Sequence, residues 1–123
     1  MEKERLERYS RHIVLDEVGL GGQIRLAGSV VTIVGAGGLG CPVADLLCRA
    51  GVGEIGIIDH DKVSLSNLNR QTLYNSGDVN KFKVQVLKQK LKKINPLVKV
   101  NIFKKKIDKA NINNLILKYH VIV

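Results

Sequence analysis

Val30-Val-Thr-Ile-Val34, then Gly35-Ala36-Gly37-Gly38-Leu39-Gly40, and then, past an apolar run, Glu54-Ile-Gly-Ile-Ile-Asp59 decide the fold. The first segment is continuous, apolar and mostly β-branched, which suits a strand covered on both faces of a parallel sheet. The glycines follow it directly. Leu39 to Ala50 carries apolar residues at 39, 43, 46, 47 and 50, a helical stripe, with Pro42 in the first turn where its missing N–H costs little. Gly51-Val-Gly53 closes that helix and residues 55–58 make a second strand. The sequence therefore predicts a right-handed β-α-β unit.

Gly35-x-Gly37-x-x-Gly40 between a strand and a helix is the context that a nucleotide-binding glycine loop needs. The first glycine permits a tight turn, the second lets the backbone approach a phosphate or ribose, and the third lets helix and strand pack closely. Asp59 follows Gly40 by 19 residues at the end of the second strand, where a carboxylate can accept hydrogen bonds from ribose hydroxyls. So far the reading is phosphate and ribose, and a nicotinamide-dependent oxidoreductase shares it.

Working outward, residues 2–12 read as one polar helix, Ile13-Val-Leu as a short apolar anchor, and Gly19, Gly21 and Gly22 as chain breaks before a short helix over 23–27. Residues 1–29 form a helical extension and 30–123 the nucleotide-binding core. Residues 60–79 form a long polar connection, of the kind that is functional or disordered in a compact domain. Lys81 to Ile94 is a helix with a lysine-rich outer face, stopped by Asn95-Pro96. Residues 97–104 are a third strand nearer the sheet edge, 109–118 a short helix, and 120–123 the opening of a fourth strand. The fold class expected is α/β, a Rossmann-like, doubly wound, mostly parallel sheet. It is expected to be the C-terminally truncated front of a longer domain, because the loop after the fourth strand should carry function.

Charge is unevenly placed along the 123 residues. Residues 1–80 hold eight Lys/Arg against ten Asp/Glu, whereas 81–118 hold twelve lysines against Asp108 alone. A basic binding module for nucleic acid or an acidic partner is one reading. A solvated helix face and strand edge is the other, favoured because no aromatics interleave with the lysines as a stacking platform requires. No nucleic-acid partner is expected. No apolar run approaches the roughly 18 residues of a membrane span, and the N-terminus has no signal-peptide character, so a cytoplasmic location is expected. Cys41 and Cys48, seven apart on one helix, cannot bridge each other and read as packing residues.

A dinucleotide dehydrogenase gives no reason for Asp61 or for Ser66-Asn67-Leu68-Asn69-Arg70-Gln71. With Arg8-Tyr9-Ser10-Arg11-His12-Ile13, Val34 to Gly40, Gly51-Val-Gly53 and Ile58-Asp-His-Asp61, this stretch resembles the ThiF/MoeB/HesA family, relatives of ubiquitin-activating enzymes. The resemblance implies an ATP-dependent adenylyltransferase that activates the C-terminal glycine of a ubiquitin-like sulfur-carrier protein. It implies that Gly35, Gly37 and Gly38 lie against the nucleotide and that Asp59 holds the ribose. Asp61, Ser66, Asn67 and Asn69 belong to the same site, and Arg70 and Lys83 serve as phosphate cations. Arg11 resembles an arginine inserted into a neighbouring subunit's site, which implies a homodimer. Asn80 and Phe82 stand where the family commonly has Gly and Pro.

The family's Mg2+-holding aspartate is expected beyond Val123, as are any zinc-binding Cys-x-x-Cys pairs, so these 123 residues alone are expected to adenylate poorly and to hold no complete metal site. The pathway, whether thiamine, molybdenum cofactor or related sulfur transfer, stays open. A basic binding module, a nicotinamide-dependent oxidoreductase and a non-catalytic dimerising remnant remain the alternatives.

Overall fold

A computed structural model describes residues 2–123. The chain opens with three helices, α1 (Lys3–Arg8), α2 (Ser10–Ile13) and α3 (Gly19–Ala27). There follow β1 (Val30–Val34), α4 (Gly40–Ala50), β2 (Glu54–Ile58), α5 (Lys83–Ile94), β3 (Lys99–Phe103), α6 (Ile112–Ile116) and β4 (Val121–Ile122). Two single 3₁₀ turns, Leu65–Asn67 and Ser76–Asp78, structure the long polar connection. The four strands form one parallel sheet in the order β3-β2-β1-β4. The α/β, Rossmann-like reading is thus correct, with β3 on an edge as expected.

Strand alternation sorts the two faces. Val31 and Ile33 of β1 and Ile55 and Ile57 of β2 join one buried cluster with Cys41, Ala44 and Cys48 of α4 and Val84, Leu87 and Leu91 of α5. Thr32 and its register partner Gly56 face the other way, where the Tyr119 ring packs so closely that a Cβ on Gly56 would lie 2.3 Å from its hydroxyl. The order of the strands reverses at the β1/β4 boundary, and β1 leads straight into the glycine loop. Crevices at such a reversal, beyond the carboxyl ends of the strands, are where open α/β sheets bind ligands.

Four local expectations need correction. The single helix over 2–12 is split at Tyr9, whose φ of −104° and ψ of 13° leave the helical region. Its ring is buried against Gly51, and its hydroxyl accepts a 2.9 Å bond from Asn95 Nδ2, so tertiary burial outcompetes helix continuity. Gly19, Gly21 and Gly22 lie inside α3 and do not break it, while Val14 and Leu15 are exposed and anchor nothing. The α4 stripe is displaced too: Leu39 is 85% and Leu46 65% exposed, whereas the fully buried line is Cys41, Ala44 and Cys48. Small side chains let α4 approach the sheet. Both cysteines are packing residues, as expected; their thiols donate to Ala36 O and Leu91 O.

The extension is fixed to the far end of the core. Gln23, fully buried, donates from Nε2 to Ala50 O at 2.8 Å and meets His12 Nδ1 through Oε1 at 3.1 Å. Arg8 donates to Ile94 O. These partners terminate α4 and α5, so the extension seals the helix C-terminal ends and leaves the other end to the loops.

The polar connection is fastened to α5 by one ion pair. Lys90 Nζ lies 2.6 Å from Asp78 Oδ2 and also donates to Leu73 O, and the Asn75 N–H donates to the same carboxylate oxygen. Burial of Asp78 alone would raise its pKa. The Lys90 bond, the Asn75 amide and the charges of Lys90 and Lys81 outweigh that and hold it below the ordinary aspartate value. A depressed folded-state pKa contributes stability above the unfolded value, and this is lost as pH falls through the folded one. Asp78→Asn is therefore expected to lower the melting temperature by about 5 °C at pH 7, with the gap closing as pH is taken below the ordinary aspartate value. A gap independent of pH would contradict this.

Candidate functional site

The glycine loop leaves β1 through Gly35, whose φ is +102° and whose N–H continues the sheet ladder to Ile58 O at 2.8 Å. The next amide, Ala36 N–H, donates to Asp59 Oδ2 at 2.9 Å. A Cβ on Gly40 would stand 1.9 Å from Gly35 O, so the loop closes on itself only because that position is glycine. Neither backbone nor side chain gives the amides of Gly37, Gly38 and Leu39 an acceptor among the described residues, and Leu39 caps α4 without a side-chain bond. Unpaired donors at the start of an 11-residue helix, aided by its dipole, are an anion-binding arrangement.

The polar connection brings its motif onto this loop. The Arg70 stem runs beside Gly38, 3.9 Å from where a Cβ would be, and Gln71 Nε2 faces Gly37 in the same way at 3.6 Å. Arg70 Nη1 donates to Asn69 Oδ1 (2.9 Å) and to Ser66 O (3.1 Å), which aims the exposed guanidinium. Asn67 Oδ1 takes the Ser64 N–H and the Ser66 hydroxyl meets that of Ser64, so these two shape the turn that carries Arg70. Lys83, only 6% exposed, opens α5; its N–H donates to Asp61 O, and its ammonium is close enough to act on the Cys41 thiol.

Asp59 has a structural task within the fold. Oδ2 takes Ala36 N–H and Oδ1 takes Asp61 N–H at 2.7 Å, so one carboxylate ties the glycine loop to the start of the polar connection. Asp61 is exposed, and its carboxylate pairs with His60 at 3.2 Å. The two departures before Lys83 are both bonded into the fold. Asn80 adopts φ +69°, the left-handed conformation that a glycine would supply and that Asn tolerates, while its N–H bonds Val63 O. Phe82 bridges to Lys62, and the ammoniums of Lys62 and Lys104 lie over its ring.

A cavity of about 240 Å3 opens at the carboxyl ends of the strands, lined by Val34, Gly35, Ile58, Asp59, His60 and the Lys105–Ile107 run. A larger one, about 340 Å3, lies by Glu2, Arg5, Ile24 and Ala27, on the side of Gly53 and the amino ends of the strands, away from the glycine loop. Of the residues named from sequence, Gly35, Gly37, Gly38, Asp59, Asp61, Asn69, Arg70 and Lys83 converge around the glycine loop, with Ser66 and Asn67 behind them. Arg11 does not join them. It is exposed, two residues from Tyr9, whose ring packs on Gly51 at the C-terminal end of α4, about 16 Å along an 11-residue helix from the glycine loop.

Sequence reasoning missed His60, Lys105, Lys106 and Ile107 as cavity-lining residues, and Gln71 and Tyr74 as partners of the glycine loop. Gln71 stood within the quoted motif. Tyr74 was signalled only by being an aromatic in a polar loop, and Lys105 and Lys106 were submerged in the lysine run. Much of that run is at the surface, as either reading of it requires: Lys88, Lys92, Lys93, Lys99 and Lys104–Lys106 are all exposed.

The ThiF family model matches residues 9–123. A sulfur carrier protein adenylyltransferase of Thermus thermophilus is 42% identical over 98% of this chain, and a probable adenylyltransferase/sulfurtransferase MoeZ of Mycobacterium tuberculosis is 39% identical over all of it. The chain covers 45% and 31% of those two proteins, so it spans less than half the length of either. Among solved structures, the E. coli tRNA N6-threonylcarbamoyladenosine dehydratase TcdA in complex with ATP superposes with a TM-score of 0.92 at 26% identity, over 98% of this chain and 49% of that one. PaaA superposes equally well, at 36% identity. The glycine loop, the Asn69-Arg70-Gln71 turn that packs on it and all four strands lie within the matched residues, and this chain belongs to the ThiF family.

Proposed function

We propose that this chain supplies the nucleotide half of an ATP-dependent adenylyltransferase, acting on the C-terminal glycine of a ubiquitin-like sulfur-carrier protein. The observation that carries the reading is the packing of Arg70 on Gly38: a hydride-transfer site shares the unpaired loop amides beside it but does not require the arginine. The relatives named as adenylyltransferases support it, as does ATP in the TcdA structure.

In this reading the amides of Gly37, Gly38 and Leu39 and the Arg70 fork take phosphate oxygens, and Lys83 adds a second cation. The base and ribose occupy the cavity between Asp59 and Ile107. A carboxylate oxygen of the carrier's glycine bonds to the α-phosphorus as the bond to the β-phosphate oxygen breaks, and pyrophosphate leaves. Catalysis is positioning and charge stabilisation. Arg11 is too far from its own glycine loop to take part there, which supports its service in a second copy's site within a homodimer.

Mg2+ bound with the triphosphate supplies charge neutralisation. Asp59, His60 and Asp61 bring ligand atoms within 4.8 Å of one another, but both Asp59 oxygens already accept backbone amides. Asp61 pairs with His60 through Oδ1 alone, so its other oxygen would be open to the ion, and one or two carboxylates beside substrate phosphates are what Mg2+ ordinarily uses. Zinc does not fit here. Burial pushes the Cys48 thiol up to about 11 and raises that of Cys41, and both thiols are committed to carbonyls inside the core.

The test is pyrophosphate–ATP exchange by the full-length protein. Exchange that requires the carrier, and is lost when the carrier's terminal glycine is removed, is the expected result. Exchange indifferent to the carrier would overturn the substrate assignment.

A further inference from the structure

Both backbone polar groups of Ala36 are held by side chains, and one of the holders has no role so far. Its N–H goes to Asp59. Its carbonyl accepts the Tyr74 hydroxyl at 2.7 Å and the Cys41 thiol at 3.4 Å. Tyr74 is buried and comes from the polar connection, 38 residues away in sequence. Burial raises the Tyr74 pKa far above that of an ordinary phenol, so the hydroxyl keeps its proton and remains a donor.

The Ala36 carbonyl and the Gly37 N–H share one rigid peptide plane and point in opposite directions. Turning the carbonyl inward therefore turns the Gly37 N–H outward. Gly37 lets that plane rotate cheaply, because glycine accepts backbone angles on either side of the map. A flipped plane would set a carbonyl dipole where the loop should offer a donor. Resting on the ATP reading above, we propose that Tyr74 is a positioning residue: its hydroxyl, assisted by the Cys41 thiol, locks the Ala36–Gly37 peptide so that the glycine loop presents an amide to the nucleotide. The same bond couples the connection that carries Arg70 to the loop that Arg70 serves.

ATP–Mg titration of the full-length protein, well below the melting temperature, tests this. Tyr74→Phe keeps the ring and removes only the donor. Its ATP dissociation constant and KM are expected to rise about tenfold, with kcat for exchange falling less than threefold. A wild-type protein that takes no ATP overturns the nucleotide reading and this inference together. A wild type that binds ATP, beside a Tyr74→Phe variant that binds it equally within twofold, overturns the inference alone, whatever the variant's stability.

Should Tyr74→Phe fail to fold, the comparison moves to α4. Cys41→Ala removes the second donor to the Ala36 carbonyl and is expected to weaken ATP binding severalfold. Cys48→Ala removes an equally buried thiol, bonded instead to Leu91, and leaves ATP affinity unchanged. Equal effects from the two cysteines contradict the proposal.

Discussion

Gly40→Ala is expected to abolish ATP binding and to lower the melting temperature, whereas Gly38→Ala is expected to weaken ATP binding and leave stability nearly untouched. The contrast follows from what each added methyl group meets. At position 40 it would lie 1.9 Å from Gly35 O and 2.8 Å from Gly35 C, backbone atoms held in turn by the Gly35–Ile58 and Ala36–Asp59 bonds. Relief requires opening the turn, which breaks those bonds and misdirects the start of α4. At position 38 the nearest atoms are the Arg70 Cγ and Cδ at 3.9 Å, an ordinary contact, and the backbone is not in the left-handed region. A methyl there intrudes only on the outer face of the loop, where the phosphates are proposed to lie. Thermal melts and ATP titrations of the two variants separate the effects. A Gly40→Ala protein that binds ATP normally would refute the loop geometry, and a Gly38→Ala protein that does so would move the nucleotide away from that face.

The second large effect is expected at Arg70. Arg70→Ala should lower carrier-dependent exchange by about 10²–10³, the scale of losing one well-placed donor to a developing charge. Its melting temperature should stay near that of the wild type, because the guanidinium is exposed and, among the described residues, bonds only within its own turn. Arg70→Lys should recover part of the loss. The charge survives, but the planar fork that meets two phosphate oxygens at once does not. Exchange within threefold of wild type in Arg70→Ala would remove Arg70 from the phosphate-binding set.

The central features of the fold were legible because each had a local cause. A β-branched run, a glycine turn and a proline in the first turn of a helix dictate β1, the loop and α4 without help from distant residues. The N-terminal extension was not, since the break at Tyr9 exists to seat a ring against Gly51 and Asn95, both distant in sequence. Nor was the buried side of α4. Periodicity pointed to its leucines, but the close approach of helix to sheet selects Cys41, Ala44 and Cys48, and the demand for small side chains comes from the partner surface.

The site divides in the same way. The glycine loop, Asp59, Asn69 and Arg70 announce themselves as contiguous motifs. Lys105 and Lys106 reach the cavity only because β3 lies beside β2 in the sheet, and nothing in their own neighbourhood distinguishes them from the other lysines. Asp59 was read as a ribose ligand from its position at a strand end. Its engagement with two backbone amides depends on where the glycine loop and Asp61 fold, and only three-dimensional structure reveals that.

The proposal stands or falls on whether the glycine loop and Arg70 form a site for ATP. Calorimetric titration of the full-length protein with ATP–Mg and, separately, with NADH tests it most directly. Saturable ATP–Mg binding that weakens in Arg70→Ala, with no NADH binding, is the predicted result; saturable NADH binding with none for ATP–Mg would contradict it.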